Sequence, residues 1–163
     1  MAIERLIVDG YNVIHNIGDY KESLLKDMTL AVSRLIDDLS TLKGTTGWEI
    51  SVVFDGRQSA VEEIAGVEIF YTDKGKTADS IIERLSYAEG GGETLVATAD
   101  YQQQKTIFRT GVSRMTPREL GNLIGDARRE LNEHSANHRK TVIEDQLSRD
   151  IRSKLDKIRK KNA

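Results

Sequence analysis

Three apolar stretches of this chain run directly into an aspartate: Asp9 closes LIVD before Gly10, Asp55 closes VVFD before Gly56, and Asp100 follows VATA. A fourth acid, Asp79, lies in KTAD, just ahead of the apolar pattern Ile81, Ile82, Leu85. Carboxylates held near one another repel, and they need shared protons or a counter-ion. For a donor set made only of oxygens, Mg²⁺ or Mn²⁺ is the fitting ion. Such an ion can activate water, bind a phosphoryl oxygen and stabilise a leaving oxygen in phosphodiester hydrolysis. Each acid taken alone has an ordinary structural use, because Asp-Gly is a common turn pair and Asp complements the dipole of a first helical turn. The set of four points to chemistry.

Chemistry requires that the elements bring these acids together. Ile3–Asp9, Glu49–Asp55, Val67–Tyr71 and Glu93–Ala97 are short apolar runs bounded by turn residues, the pattern of buried parallel strands. Helical spacing occurs between them: Leu24, Met28, Ala31, Leu35 and Leu39 in one stretch, and Ile81, Ile82, Leu85 and Ala88 after a Thr77 cap in another. Residues 101–110 allow a short helix. Thr116-Pro117-Arg118-Glu119 starts a helix carrying Leu120, Leu123, Ile124, Ala127 and Leu131, and a last helix carries Val142, Ile143, Leu147, Ile151, Leu155 and Ile158. This alternation predicts an α/β fold, a mostly parallel sheet with helices on both faces. Parallel strands share one carboxyl edge, where such sheets bind ligands. The carboxyl groups of Asp9, Asp79 and Asp100 are therefore expected within about 8 Å of one another, with Asp55 bordering them. Asn12 follows Asp9 by three residues and can bond a carboxylate, a metal-bound water or a phosphate, or serve as a turn residue. Thr98 shares a face of extended chain with Asp100, which suits its hydroxyl to orienting the attacking water. Glu83, one helical turn beyond Asp79, can join the cluster or pair on the surface.

Composition narrows the class. The 163 residues suffice for one compact domain plus an appended element, and 38% hydrophobic content suffices for a core. No apolar run is long enough for a membrane span, and MAIERLIVDG reads as a first strand, not a signal peptide. With no cysteine, disulfides, thiolate metal sites and cysteine nucleophiles are excluded, which fits a reducing compartment. Residues 1–113 carry 11 Lys and Arg against 18 Asp and Glu, whereas residues 114–163 carry 13 against 8. An acidic body with a basic arm suits metal-binding carboxylates in one place and polyanion-binding charge in another, although a solvated basic helix has the same composition. Other motifs fail. Gly75-Lys76-Thr77 lacks the glycine a phosphate loop needs, since position 70 is Phe70. There is no dinucleotide fingerprint and no sign of an organic cofactor. A haloacid-type phosphatase needs an acid where Tyr11 stands, and His134 and His138 lack a third zinc ligand. His15 is at most a substrate contact.

The segments VDGYNVI, VVFDG, KTADSIIERL, TADYQQQKTIF and RMTPREL, in this order, closely resemble the YacP-like branch of the NYN-domain nucleases, relatives of the PIN-domain ribonucleases. The resemblance spans roughly residues 3–160. It implies a PIN-like three-layer α/β/α sandwich and Mg²⁺- or Mn²⁺-dependent endoribonuclease activity. It also implies an association with ribosomes, where some members cut mRNA. Its acidic site matches Asp9, Asp79 and Asp100, which would hold metal, with Asn12 and Asp55 at the accompanying positions. One departure is Thr98-Ala99 before Asp100, where Thr-Ser or Ser-Ser is commoner; the acid is intact, and Thr98 is the hydroxyl to consider.

Basic residues near the strand ends, Lys74, Lys76, Lys105, Arg109, Arg114 and Arg118, are the expected RNA contacts, and Tyr11 and Tyr101 can stack on bases. The expected organisation is a nuclease domain at 1–136 and a basic amphipathic helix at 137–163, packed on the domain by its apolar stripe and presenting Arg149, Arg152, Lys154, Lys157, Arg159, Lys160 and Lys161 to RNA. The expected setting is the cytoplasm, or an organelle stroma for a processed chain. Two rival readings keep the fold: a non-catalytic RNA- or ribosome-binding module, and a metal-dependent phosphatase.

Overall fold

The computed structural model describes residues 3–56, 58–73, 78–87, 92–100 and 111–161. Along the chain come β1 (Ile3–Asp9), α1 (Gly10–Asn16), α2 (Gly18–Lys26), α3 (Met28–Thr46), β2 (Glu49–Asp55), β3 (Ala60–Ile64), β4 (Val67–Thr72), α4 (Ala78–Ser86), β5 (Glu93–Ala97), β6 (Val112–Met115) and α5 (Pro117–Lys161). The strands form one sheet in the order β3-β4-β2-β1-β5-β6. All neighbours pair in parallel except β3, which runs antiparallel to β4 at the edge.

Alternation along the central strands builds a core on each face. Leu6, Val8, Ile50, Val52, Phe54, Leu95 and Ala97 point to one side, where Val13, Ile14, Tyr20, Leu35, Leu39, Leu120 and Ile124 of the helices cover them. Ile7, Val53 and Val96 point to the other, against Ala78, Ile81 and Ile82 of α4. The expected α/β arrangement, a mostly parallel sheet with helices on both faces, is what the chain adopts.

Two strands go beyond the apolar pattern. β3 is exposed at every residue and carries two glutamates, so no apolar run marks it. It is created by a two-residue turn at Ala65 and Gly66, with φ of 52° and 82°, the left-handed geometry that hairpin turns use. Ser40 and Lys43 of α3 donate to the Ala65 and Gly66 carbonyls at 2.8 and 2.6 Å, which holds this uncommon alanine conformation in place. β6, the other strand without such a run, is only four residues long.

The helix expected across Leu24 to Leu39 is two helices. Asp27 interrupts it as an N-cap, its carboxylate accepting the Thr29 N–H at 3.0 Å. The capping pair at Thr116 does form: its hydroxyl donates to the Glu119 carboxylate at 2.9 Å and accepts the Glu119 N–H at 3.1 Å. Instead of two C-terminal helices there is one, continuous for 45 residues. The chain divides within it into compact units Met1–Arg128 and Arg129–Ala163. Val142, Ile143, Ile151 and Leu155 are 48–58% exposed. Periodicity identifies an apolar face without saying what covers it. The side chains of Leu147, Ile158, Lys160 and Lys161, the Thr77 cap, Ala88 and the helix expected at 101–110 lie outside what is described. No helix among the described residues is long and apolar enough to cross a membrane.

Candidate active site

The central strands β2, β1 and β5 lie side by side, and their carboxyl ends carry Asp55, Asp9 and the Thr98-Ala99-Asp100 turn. Asp9 stands at the N-cap position of α1, yet its side chain makes no capping bond. The Thr98 hydroxyl donates to Asp9 Oδ2 at 3.2 Å instead. The next residue, Gly10, lies against the Phe54 ring, where a Cβ would come within 2.3 Å of the buried aromatic. Glycine therefore lets the strand turn into α1 at this point.

Asp55 has a different setting. Its Oδ1 accepts the Ala78 N–H at 2.8 Å and the Thr72 hydroxyl at 3.4 Å. It thus caps the start of α4, the helix that carries Asp79. The structural use that any one of these acids can have is realised here.

Thr98 and Asn12 fasten the turn before Asp100. The Thr98 oxygen accepts the Asp100 N–H at 3.1 Å while its hydrogen goes to Asp9. Asn12 Oδ1 accepts the Ala99 N–H at 2.7 Å. Thr98 is 1% exposed, and its hydroxyl bridges two acid-bearing segments.

Electrostatics ties the four acids together. Burial pushes the Asp9 carboxyl up to about 6; the Thr98 hydrogen bond opposes this, and the charges of Asp79, Asp55 and Asp100 add to the rise. Asp79 is also raised, first by burial and then by Asp100 and Asp55. The acids are thus brought within electrostatic reach of one another. Among the described residues, however, no three His, Asp or Glu side chains are gathered closely enough to enclose a metal ion.

The other expected residues fall in varied places. Tyr11 is partly buried and packs against Phe54, with ring centroids 4.9 Å apart and planes tilted by 55°. Arg114 directs its Nε–H to the Thr98 carbonyl at 3.0 Å. Arg118 and His15 are exposed, and Glu83 is partly buried on α4. His134 and His138 are exposed on α5. Lys74, Lys76, Tyr101, Lys105 and Arg109 lie outside the described residues. Nothing in the spacing of residues signals a polar cluster on the helical side: Tyr20 and Arg128 both donate to Asp38, the Arg128 Nε bond measuring 2.8 Å, and Asp19 lies 3.9 Å from Arg128. Each of these residues is an ordinary helix-surface type, so only the fold reveals their meeting.

A mostly parallel sheet, helices on both faces and acids at the carboxyl edge define a PIN-like α/β protein of nuclease type. The family described as "YacP-like NYN domain" matches residues 6–160, and the chain belongs to it. It is 34% identical to YacP of Bacillus subtilis (strain 168) over 121 residues, 71% of either chain. The crystal structure of Rae1 (YacP) from Bacillus subtilis superposes with a TM-score of 0.72 at 29% identity, covering 98% of this chain and 95% of that one. Its W164L mutant gives 0.71 at 30% identity over 80% of each chain.

Proposed function

We propose that this chain is a divalent-metal-dependent endoribonuclease that cuts single-stranded RNA, with mRNA on the ribosome as its cellular substrate and the cytoplasm as its setting. The observation that carries this reading is that the charges of Asp79, Asp55 and Asp100 bear on Asp9, and those of Asp100 and Asp55 on Asp79, at the carboxyl edge of the sheet. Family membership supports the nuclease class. The donors are all carboxylate oxygens, and their excess like charge fits a hard divalent cation. Asp9, Asp79 and Asp100 would hold it. When bound, Mg²⁺ or Mn²⁺ supplies charge neutralisation and an acidified water for attack on phosphorus.

The chain's own groups set the stage. Asp55 positions Asp79 by capping α4, and Asn12 and Thr98 position Asp100. Exposed Arg118, together with Lys74, Lys76, Lys105 and Arg109, would draw the phosphate backbone toward the acids, and Tyr101 would stack on a base. Residues 149–161, with seven basic side chains against Asp150 and Asp156, would tether the protein to ribosomal RNA. The test is cleavage of an end-labelled single-stranded RNA, free and on translating ribosomes, with Mg²⁺ or Mn²⁺ and then with EDTA. Internal cuts that EDTA abolishes are expected. RNA or ribosome binding without cleavage would replace this reading with that of a binding module.

A further inference from the structure

β5 and β6 form a regular parallel ladder in which Thr94 N–H donates to the Gly111 carbonyl at 2.8 Å and Thr98 N–H to the Met115 carbonyl at 3.1 Å. In this register Thr98 stands opposite Thr116, and its own carbonyl should accept from the next amide along, that of residue 117. Residue 117 is Pro117, the first residue of α5, which has no N–H. The proline that starts the helix therefore takes away the donor that the last carbonyl of the ladder requires. The carbonyl of buried Thr98 must find a partner elsewhere. Arg114, three residues back on β6, supplies it: Nε–H meets the Thr98 oxygen at 3.0 Å.

This carbonyl belongs to the Thr98–Ala99 peptide, one residue ahead of Asp100. With it occupied, Thr98 is fixed at its amide by Met115, at its hydroxyl by Asp9 and the Asp100 N–H, and at its carbonyl by Arg114. Asn12, in α1 just beyond the carboxyl end of β1, fixes the Ala99 amide. We propose that Arg114 is a positioning residue of the acidic site, standing in for the amide missing at Pro117 and holding the turn that presents Asp100 toward Asp9. The inference rests on the nuclease reading for its catalytic consequence, but not for its structural one. It assigns Arg114 a role different from the phosphate contact that its charge suggests.

Lysine keeps that charge but lacks the planar Nε–H, so R114K and R114Q separate the two roles. Amide hydrogen exchange on the metal-free, RNA-free protein reads the turn directly. Both variants should speed exchange at Ala99 and Asp100 by about tenfold while the amides of β1 and β2 keep their protection, as for a local opening. In cleavage assays both should lose about tenfold in kcat with KM little changed, because geometry and not binding is impaired. Unchanged exchange in both variants would overturn the proposal. So would wild-type kcat in R114K with a raised KM in R114Q, the signature of a phosphate contact. A wild-type protein that cuts no RNA would remove the nuclease reading, and the exchange result would then decide the proposal by itself.

Discussion

Asp9→Asn should reduce RNA cleavage by on the order of a thousandfold and, at neutral pH without metal, raise the melting temperature. The first effect follows from removing a charge at the centre of the acidic edge. The second follows from proton linkage. The Asp9 carboxyl sits at about 6 in the folded chain against 3.8 ordinarily, so between these values the folded state binds more protons than the unfolded one. Stability from this group is therefore complete below 3.8 and lost as pH rises through about 6. An asparagine side chain in its place carries no charge to bury. The substitution should flatten that part of the pH–stability curve and gain about 1–3 kcal/mol above it, or roughly 2–4 °C per kcal/mol in a chain of this size. Thermal melts in EDTA across the pH range check this. A marked fall in melting temperature would show instead that Asp9 is a structural acid.

The second large effect lies away from the site. Asp38→Ala should cost about 3 kcal/mol, measured by urea denaturation. Asp38 accepts from both the Tyr20 hydroxyl and the Arg128 guanidinium, and Tyr20 is 2% exposed. Truncation leaves a buried phenol without its acceptor and a guanidinium without its carboxylate. Arg128 retains 39% of its side-chain exposure, and water reaching it keeps the loss near the lower end for a broken buried pair. Tyr20→Phe removes one donor and leaves the Asp38–Arg128 pair, so about 1 kcal/mol is expected. Equal losses from the two substitutions would mean that the ion pair contributes nothing.

These two sites differ in how well the sequence announces them. Asp9, Asp55 and Asp100 are legible because each terminates an apolar run at a turn, and a parallel sheet must then bring the ends of such runs to one edge. Their individual duties are not legible. Whether an Asp after a strand caps a helix, as Asp55 does for α4, or avoids capping, as Asp9 does at α1, depends on loop paths that no spacing encodes. Spacing places the Thr98 hydroxyl near Asp100, but its hydrogen is directed to Asp9, a residue 89 positions away. Asp27 gives no break in the pattern, because a cap without glycine or proline leaves the apolar spacing of Leu24 and Met28 intact. The Tyr20–Asp38–Arg128 cluster has no local signal, since a polar residue on a helix reads the same whether water or a distant arginine satisfies it. Pro117 reads as a helix start, which it is; its cost to the neighbouring β ladder appears only once β6 is seen to pair with β5.

The central claim is that Asp9, Asp79 and Asp100 form one divalent-cation site, and titration with Mn²⁺ followed by paramagnetic broadening of amide resonances tests it most directly. Mn²⁺ should selectively broaden the amides around Asp9, Ala78 to Ser80 and Ala99 to Asp100, leave those at the amino ends of β1 and β2 sharp, and be displaced by Mg²⁺. In Asp100→Asn the broadening should need a higher Mn²⁺ concentration. Broadening centred on another part of the chain, or none at Mn²⁺ concentrations that support cleavage, would contradict the account.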